Sequence, residues 1–205
     1  MEIAPSVATE SALVTHLISL FLGAAASYLV WWWLNHKWVP KLEFALEICR
    51  YSVDQDKKLY VCAFSNIGKR EIVDVEVVTQ VGVNNFNGSS GWQYFSLKTN
   101  STRLPIIEPR RRALVRVFDE RDSPTFIDPP SHGLAAKIED CETLEDLFHI
   151  CPEVSLQLNV FGYDGFSGAR RRFASSKYTK SEIRSGRFKG LLIVEDQTGL
   201  VLEEQ

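Results

Sequence analysis

No lysine or arginine precedes Lys37 in this 205-residue chain, and Ser11–Leu34 contains no Asp, Glu, Lys or Arg at all. The first absence removes the basic n-region of a secretory signal peptide, and the second leaves a long uncharged stretch. Methionine occurs once, and cysteine and histidine four times each. Histidines scattered at 16, 36, 132 and 149 would have to be assembled from singletons into any triad or facial metal site. The sequence also lacks a Gly-x-Ser-x-Gly elbow, a Gly-x-x-x-x-Gly-Lys-Ser/Thr loop, a Gly-x-Gly-x-x-Gly fingerprint and a His-Glu-x-x-His helix. A net charge of −3 argues against a bulk nucleic-acid binder, and a 45% hydrophobic content excludes a disordered or collagen-like chain. The expectation is a protein that is neither an enzyme nor a cofactor carrier.

What is present begins with the uncharged run. A helix over residues 11–34 rises about 36 Å, enough to cross a hydrocarbon core of about 30 Å. Trp31, Trp32, Trp33 and Trp38 crowd its C-terminal end, where indole rings settle at a headgroup layer. A cleaved signal peptide ending at Ala24–Ala26 is the rival reading, and it is disfavoured by Glu2, Glu10 and the missing basic residues. Lys37 and Lys41 follow the run and nothing basic precedes it, so the expected topology is an outside N-terminus and a cytoplasmic main domain. His16, Ser19, Gly23 and Ser27, at steps of three, four and four, form one polar or small stripe suited to a helix partner or a pore. Small residues are common in spans, and His16 is close enough to the interface to snorkel, so the stripe also has an ordinary reading.

After Pro40 the pattern changes to short alternating runs punctuated by turn residues, the cadence of a β-sandwich. Strands are expected at 42–51, 59–65, 71–81, 93–97, 104–107, 112–118, 133–138, 154–161, 169–175 and 188–194, with one short helix at 143–150. The turn Asp54–Lys57 centres the first hairpin so that Cys49 faces Cys62. Such a pair would stay reduced in a cytoplasmic domain and could oxidise outside, so it would report topology. Cys141 and Cys151, with His149 between them, lack zinc-finger spacing, and the two cysteines read as core thiols. The runs Arg110–Arg112 (Arg110, Arg111, Arg112) and Arg170–Arg172 (Arg170, Arg171, Arg172) are candidates for gripping an anion, with solvated strand ends as the plainer alternative. Asp119-Glu120-Arg121-Asp122 is a candidate cation site, for which a self-paired turn is the plainer reading.

Three segments carry a resemblance. Asn66-Ile67-Gly68-Lys69-Arg70-Glu71-Ile72-Val73-Asp74-Val75-Glu76-Val77 resembles a stretch of the inward-rectifier potassium channel family in which a strand ends in Asn, turns through a basic pair and resumes as a Val-rich strand. Asp119–Phe126 looks like that family's acidic turn ending in Asp-Ser-Pro. Tyr178, Glu182-Ile183, Gly186 and Arg187-Phe188, preceded by Ser167-Gly168, are similar to its Tyr-x-x-x-Glu-Ile-x-x-Gly-x-Arg-Phe. The likeness covers roughly residues 37–194, with one residue fewer between Gly186 and Phe188 and one more between Gly168 and Tyr178. It implies an immunoglobulin-like cytoplasmic β-sandwich that assembles as a four-fold ring and receives ligand signals at its membrane face. It also implies anionic lipid headgroups as partners, for which Lys37 and Lys41 are the candidates, at about 1 kcal/mol each. The family's second span, pore loop and Thr-x-Gly-Tyr-Gly filter have no counterpart in this sequence, so the chain by itself is not expected to be a potassium-selective channel.

The expected layout is an extracytoplasmic N-terminus (1–10), a transmembrane helix (11–34), a linker (35–41), an all-β sandwich (42–195) and a tail (196–205). Two functions fit it. One is an oligomeric inward-rectifier-like membrane protein with a sensing or gating domain and a simple pore or channel-partner role. The other is an anchored immunoglobulin-like module that binds a protein partner without transport.

Overall fold

The computed structural model describes residues 6–52, 57–88, 90–98, 103–120, 125–128 and 130–194, in two units that part between Val39 and Pro40. The first is one helix, α1, Ser6–Lys37. It runs beyond the expected 34 because nothing in Asn35–Lys37 breaks it; Pro40 is the first residue to disfavour helix in its predecessor. Within it, Val14–Leu34 is long and apolar enough to cross a membrane, and none of that window is buried. The Trp-rich end is internally organised: Trp32 stacks on His36 at 4.8 Å and Trp33 lies 5.7 Å from Trp38.

The second unit is mostly β. Its first sheet holds β1 (Leu42–Phe44), β2 (Ile48–Ser52), β3 (Lys58–Asn66), β7 (Arg112–Asp119) and β11 (Ile183–Ser185). Strand β3 is central, with β7 on one side and β1 and β2 on the other, and β11 pairs in parallel with β2. The second sheet holds β4 (Ile72–Asn84), β5 (Trp92–Leu97), β6 (Arg103–Ile107), β8 (Phe126–Asp128), β9 (Glu153–Asp164) and β10 (Arg170–Ala174), ordered β10-β9-β4-β5-β8 with β6 also on β4. A small hairpin, β12 (Arg187–Lys189) and β13 (Leu192–Val194), ends the described chain. Apolar residues of both sheets, from Ile48, Phe64 and Val115 to Val77, Phe95 and Leu158, belong to one buried core. Alternation with period two explains the second sheet: on β4, Val77, Val81 and Val83 are buried while Val78 and Gln80 are half-exposed.

Several expectations need correction. The run 42–51 is two strands, because seven residues separate Leu42 from Cys49 while five separate their partners Asn66 and Val61. The surplus bulges at Leu46, which is 74% exposed, while Ala45 keeps its N–H on Ala63 O at 2.8 Å. The same register places Cys49 opposite Val61, not Cys62. Residues 133–138 are helical: α2 spans His132–Glu139 and buries Leu134 and Ile138, an i, i+4 pair on one face. Helix α3, Leu144–Leu147, lies inside the expected helical segment and is capped by Thr143 and Asp146 in a reciprocal box. Residues 188–194 form a hairpin turning at Gly190. Most of the Asp54–Lys57 turn, and Arg121–Pro124 of the acidic segment, lie outside the described residues.

Candidate functional site

The stripe on α1 is present as a face of the helix. Ser19 spends its hydroxyl on its own helix, donating to Thr15 O at 2.9 Å. Among the described residues nothing lies within 4 Å of a Cβ built on Gly23. His16 and Ser27 are exposed on the same side. Lys37 ends the helix, whereas Lys41 belongs to the β unit, where its carbonyl accepts the N–H groups of Ile67 (2.9 Å) and Gly68 (3.2 Å).

The two arginine runs sit on different sheets. Arg110 has φ +64° at the third position of a turn closed by Arg111 N–H on Glu108 O, a conformation that favours Gly or Asn. Arg111 pairs with Glu108 at 3.2 Å, and Arg112 donates to the carbonyls of Phe188 (3.3 Å) and Gly190 (3.0 Å), strapping the terminal hairpin. In the second run Arg170 reaches Glu76 at 3.5 Å and Arg172 donates to Asn159 Oδ1 at 2.9 and 3.1 Å. The Nε of Arg171 is buried and has no hydrogen-bond partner among the described residues.

The resembling segments fall on joints of the β unit. Asn66, fully buried, donates through Nδ2 to Arg70 O (2.7 Å) and Ile107 O (3.1 Å) and accepts the Gly68 N–H at 3.0 Å. One side chain thereby closes the turn into β4 and ties it to β6. Tyr178, also fully buried, bridges to Leu156 of β9 through its backbone and donates its hydroxyl to Ala45 O at 2.6 Å. That proton is then committed, so the Tyr178 oxygen accepts from the Cys62 thiol at 3.3 Å. Burial drives the phenol's pKa up, with the thiol adding to the shift. Glu182 accepts the Thr179 N–H at 2.6 Å, the carboxylate arm of a capping box, and also the Thr179 hydroxyl. The Thr179 hydroxyl, opposed in part by burial, holds the carboxyl below its usual range. Gly186 comes after β11, the strand into which this turn leads. Its φ of +147° lets its backbone pass directly beside the carbonyl of Val194, which a Cβ would hit.

Two constellations were not foreseen. Tyr60, fully buried, places its hydroxyl between Glu120 (3.0 Å) and Glu145, and Glu145 also pairs with Arg50 at 2.6 Å. Burial and then these carboxylates push the phenol's pKa up. Arg70 and Asp164, 8% and 1% exposed, form a buried pair at 3.3 Å, and the guanidinium lies 4.2 Å from the Phe166 ring. The partners are far apart in sequence, and the only local signal is the charged cluster Lys69-Arg70-Glu71 beside a Val-rich strand. No group of three or more His, Cys, Asp or Glu side chains able to hold a metal is found among the described residues. Glu120 accepts the Lys58 N–H at 2.7 Å and so serves a strand end. No family model matches the chain, and no curated protein matches it.

Proposed function

We propose that this is a single-pass membrane protein whose main domain is an immunoglobulin-like sandwich of the inward-rectifier cytoplasmic type. In this reading it works as a homo-oligomer in which the domain senses or gates beside a simple pore or a channel partner. It is not a potassium-selective channel by itself. The supporting observation is where the resembling residues sit: Asn66 and Tyr178, both buried, close joints by hydrogen bonds to the carbonyls of Ile107 and Ala45, and Glu182 caps its own turn at Thr179. A chance likeness would have no reason to select such positions. Lys37 and Lys41 support a cytoplasmic domain and contact with anionic headgroups.

The second reading, a protein-binding module without transport, is favoured by a different feature. Trp92 and Tyr94, 40% and 52% exposed, stack at 6.0 Å over Gly82, and Lys177 lies 4.9 Å from the Trp92 ring. Exposed aromatics beside a cation have the composition of interface anchors. Purified full-length protein reconstituted in liposomes separates the two. An oligomer that passes ions or dye, or that alters the flux of a co-reconstituted channel, supports the first; a monodisperse monomer that leaves both unchanged overturns it.

A further inference from the structure

We propose that the outer face of the second sheet binds single-stranded nucleic acid, with successive bases stacked on Tyr163 and Phe161 and their phosphates on Arg170 and Arg172. The ladder registers fix this face. One cross-strand row reads Ile106, Val73, Tyr163, Arg170, and the next reads Arg103, Glu76, Phe161, Arg172, across β6, β4, β9 and β10. Both rows look away from the core, because Gly162, between the two aromatic positions, is where a Cβ would strike the fully buried Ile72. Tyr163, Ile106 and the three arginines are exposed, and Phe161 is half-buried. By the same alternation Arg171, paired with Gly162, projects to the other side of the sheet and takes no part.

The chemistry of the two columns selects the ligand. Residues two apart on a strand stand about 6.6 Å from each other, and directly opposed residues on neighbouring strands about 5 Å. A column of two rings therefore lies beside a column of two guanidinium groups at matching heights. Two aromatic side chains so spaced on the face of a four-stranded sheet can stack two bases of an unpaired strand, and the guanidinium groups beside them meet the backbone that links those bases. An apolar partner would use the rings and Ile106 but leave three arginines facing one acid, Glu76. A polyanion carrying flat apolar rings uses both. Asn159 Oδ1 accepts from Nε and Nη2 of Arg172 at 3.1 and 2.9 Å, which sets the plane of that guanidinium on the face. Arg170 lies over the Phe161 ring at 5.4 Å and reaches Glu76 at 3.5 Å with both side chains well exposed, a pair that costs little to open. A base can then take over the ring as Arg170 turns to its phosphate. The net charge of −3 agrees with a local site for a short unpaired segment, since bulk duplex binding needs a basic surface. The inference is independent of whether the domain gates a pore.

Fluorescence anisotropy of labelled hexamers of riboadenylate and deoxyadenylate, titrated with the full chain in nanodiscs of neutral lipid, tests this, and the two probes tell RNA from DNA. Wild type should bind at least one hexamer. Tyr163→Ala, at an exposed position, should weaken that binding about fivefold or more. The double variant Arg170→Gln/Arg172→Gln should flatten the slope of log K against log salt by about 1.4, two phosphate contacts at about 0.7 each, a change that a merely structural role would not produce. Trp92→Ala removes another exposed aromatic, on β5, and should leave the affinity unchanged. A wild type that binds neither hexamer overturns the proposal, as does a Tyr163→Ala protein that binds as tightly as wild type. An unaltered salt slope in the arginine variant refutes the phosphate contacts, and a loss of binding in Trp92→Ala alone would place the ligand elsewhere and refute the site.

Discussion

The hydroxyl of Tyr178 donates to the carbonyl of Ala45 at 2.6 Å, joining the strand that lies along β9 to the bulge in the opposite sheet. Ala45 is 1% exposed and Tyr178 fully buried, so neither group has water as an alternative partner. Tyr178→Phe keeps the ring and removes the bond, leaving the Ala45 oxygen and the Cys62 thiol each short of a partner. The expected cost is about 1–3 kcal/mol, read as a lower denaturation midpoint with an unchanged m-value. A midpoint equal to wild type would mean that the bulge satisfies its carbonyl elsewhere.

Arg70 and Asp164 make a second test. Arg70→Met leaves a carboxylate that is 1% exposed without its cation and should cost about 3–5 kcal/mol. The pH dependence has a definite sign. Burial raises the Asp164 pKa, but the Phe166 and Ser167 groups and Arg70 outweigh it, and the folded value lies below the ordinary one. A depressed folded pKa contributes stability above the unfolded value, near 4, and that stability is lost as pH falls through the folded value. Unfolding measured from pH 6 down to pH 2 should therefore show a loss below about pH 4 that is smaller in Asp164→Asn. Parallel curves for the two proteins would contradict this.

Gly23 offers a test of assembly that spares the protomer. Among the described residues nothing lies within 4 Å of a Cβ placed there, so Gly23→Leu starts from open space on the helix. In lipid, small residues let helix backbones approach, so the added bulk should dissociate an oligomer held by this face. Mass measured in mild detergent should drop for Gly23→Leu and stay constant for Leu22→Ala. An unchanged mass would move the assembly contact to the β unit, and a monomeric wild type would end the shared-pore reading.

Orientation is testable at the other end. With Lys37 and Lys41 as the only nearby cations, a cysteine introduced as Ser6→Cys should react with an impermeant thiol reagent on intact cells. Reaction only after permeabilisation would reverse the topology.

The β character and most strands were legible because alternating burial writes itself into Val75–Val83 and Val154–Val160. The short helix at 144–147 was legible because Thr143 and Asp146 form a local box. What failed was short or non-local. Leu134 and Ile138 fit a helix face as well as a strand segment, and the discriminating signal was the run of helix formers Leu-Ala-Ala-Lys after Pro129-Pro130-Ser131. The bulge at Leu46 was invisible because its cause is the pairing of Leu42 with Asn66, twenty-four residues away. The Tyr60 and Arg70 networks joined residues 85 and 94 positions apart, distances at which one sequence gives no register. The arginine runs were visible as charge, but their division into a hairpin strap and a sheet edge depended on the strand order.

The one-residue difference in the first hairpin has an effect on chemistry beyond pairing. With Cys49 opposite Val61, the thiol of Cys49 donates to Gly186 O at 2.9 Å on one face of the sheet while that of Cys62 lies in the core on the other. No cysteine of the chain is in a disulfide, and all four are buried. Burial pushes the thiols of Cys62 and Cys141 up to about 11, so almost none of either is thiolate at neutral pH. Those two thiols are therefore poor nucleophiles towards an oxidant, and Cys49 and Cys62, on opposite faces of one sheet, are not placed to pair with each other.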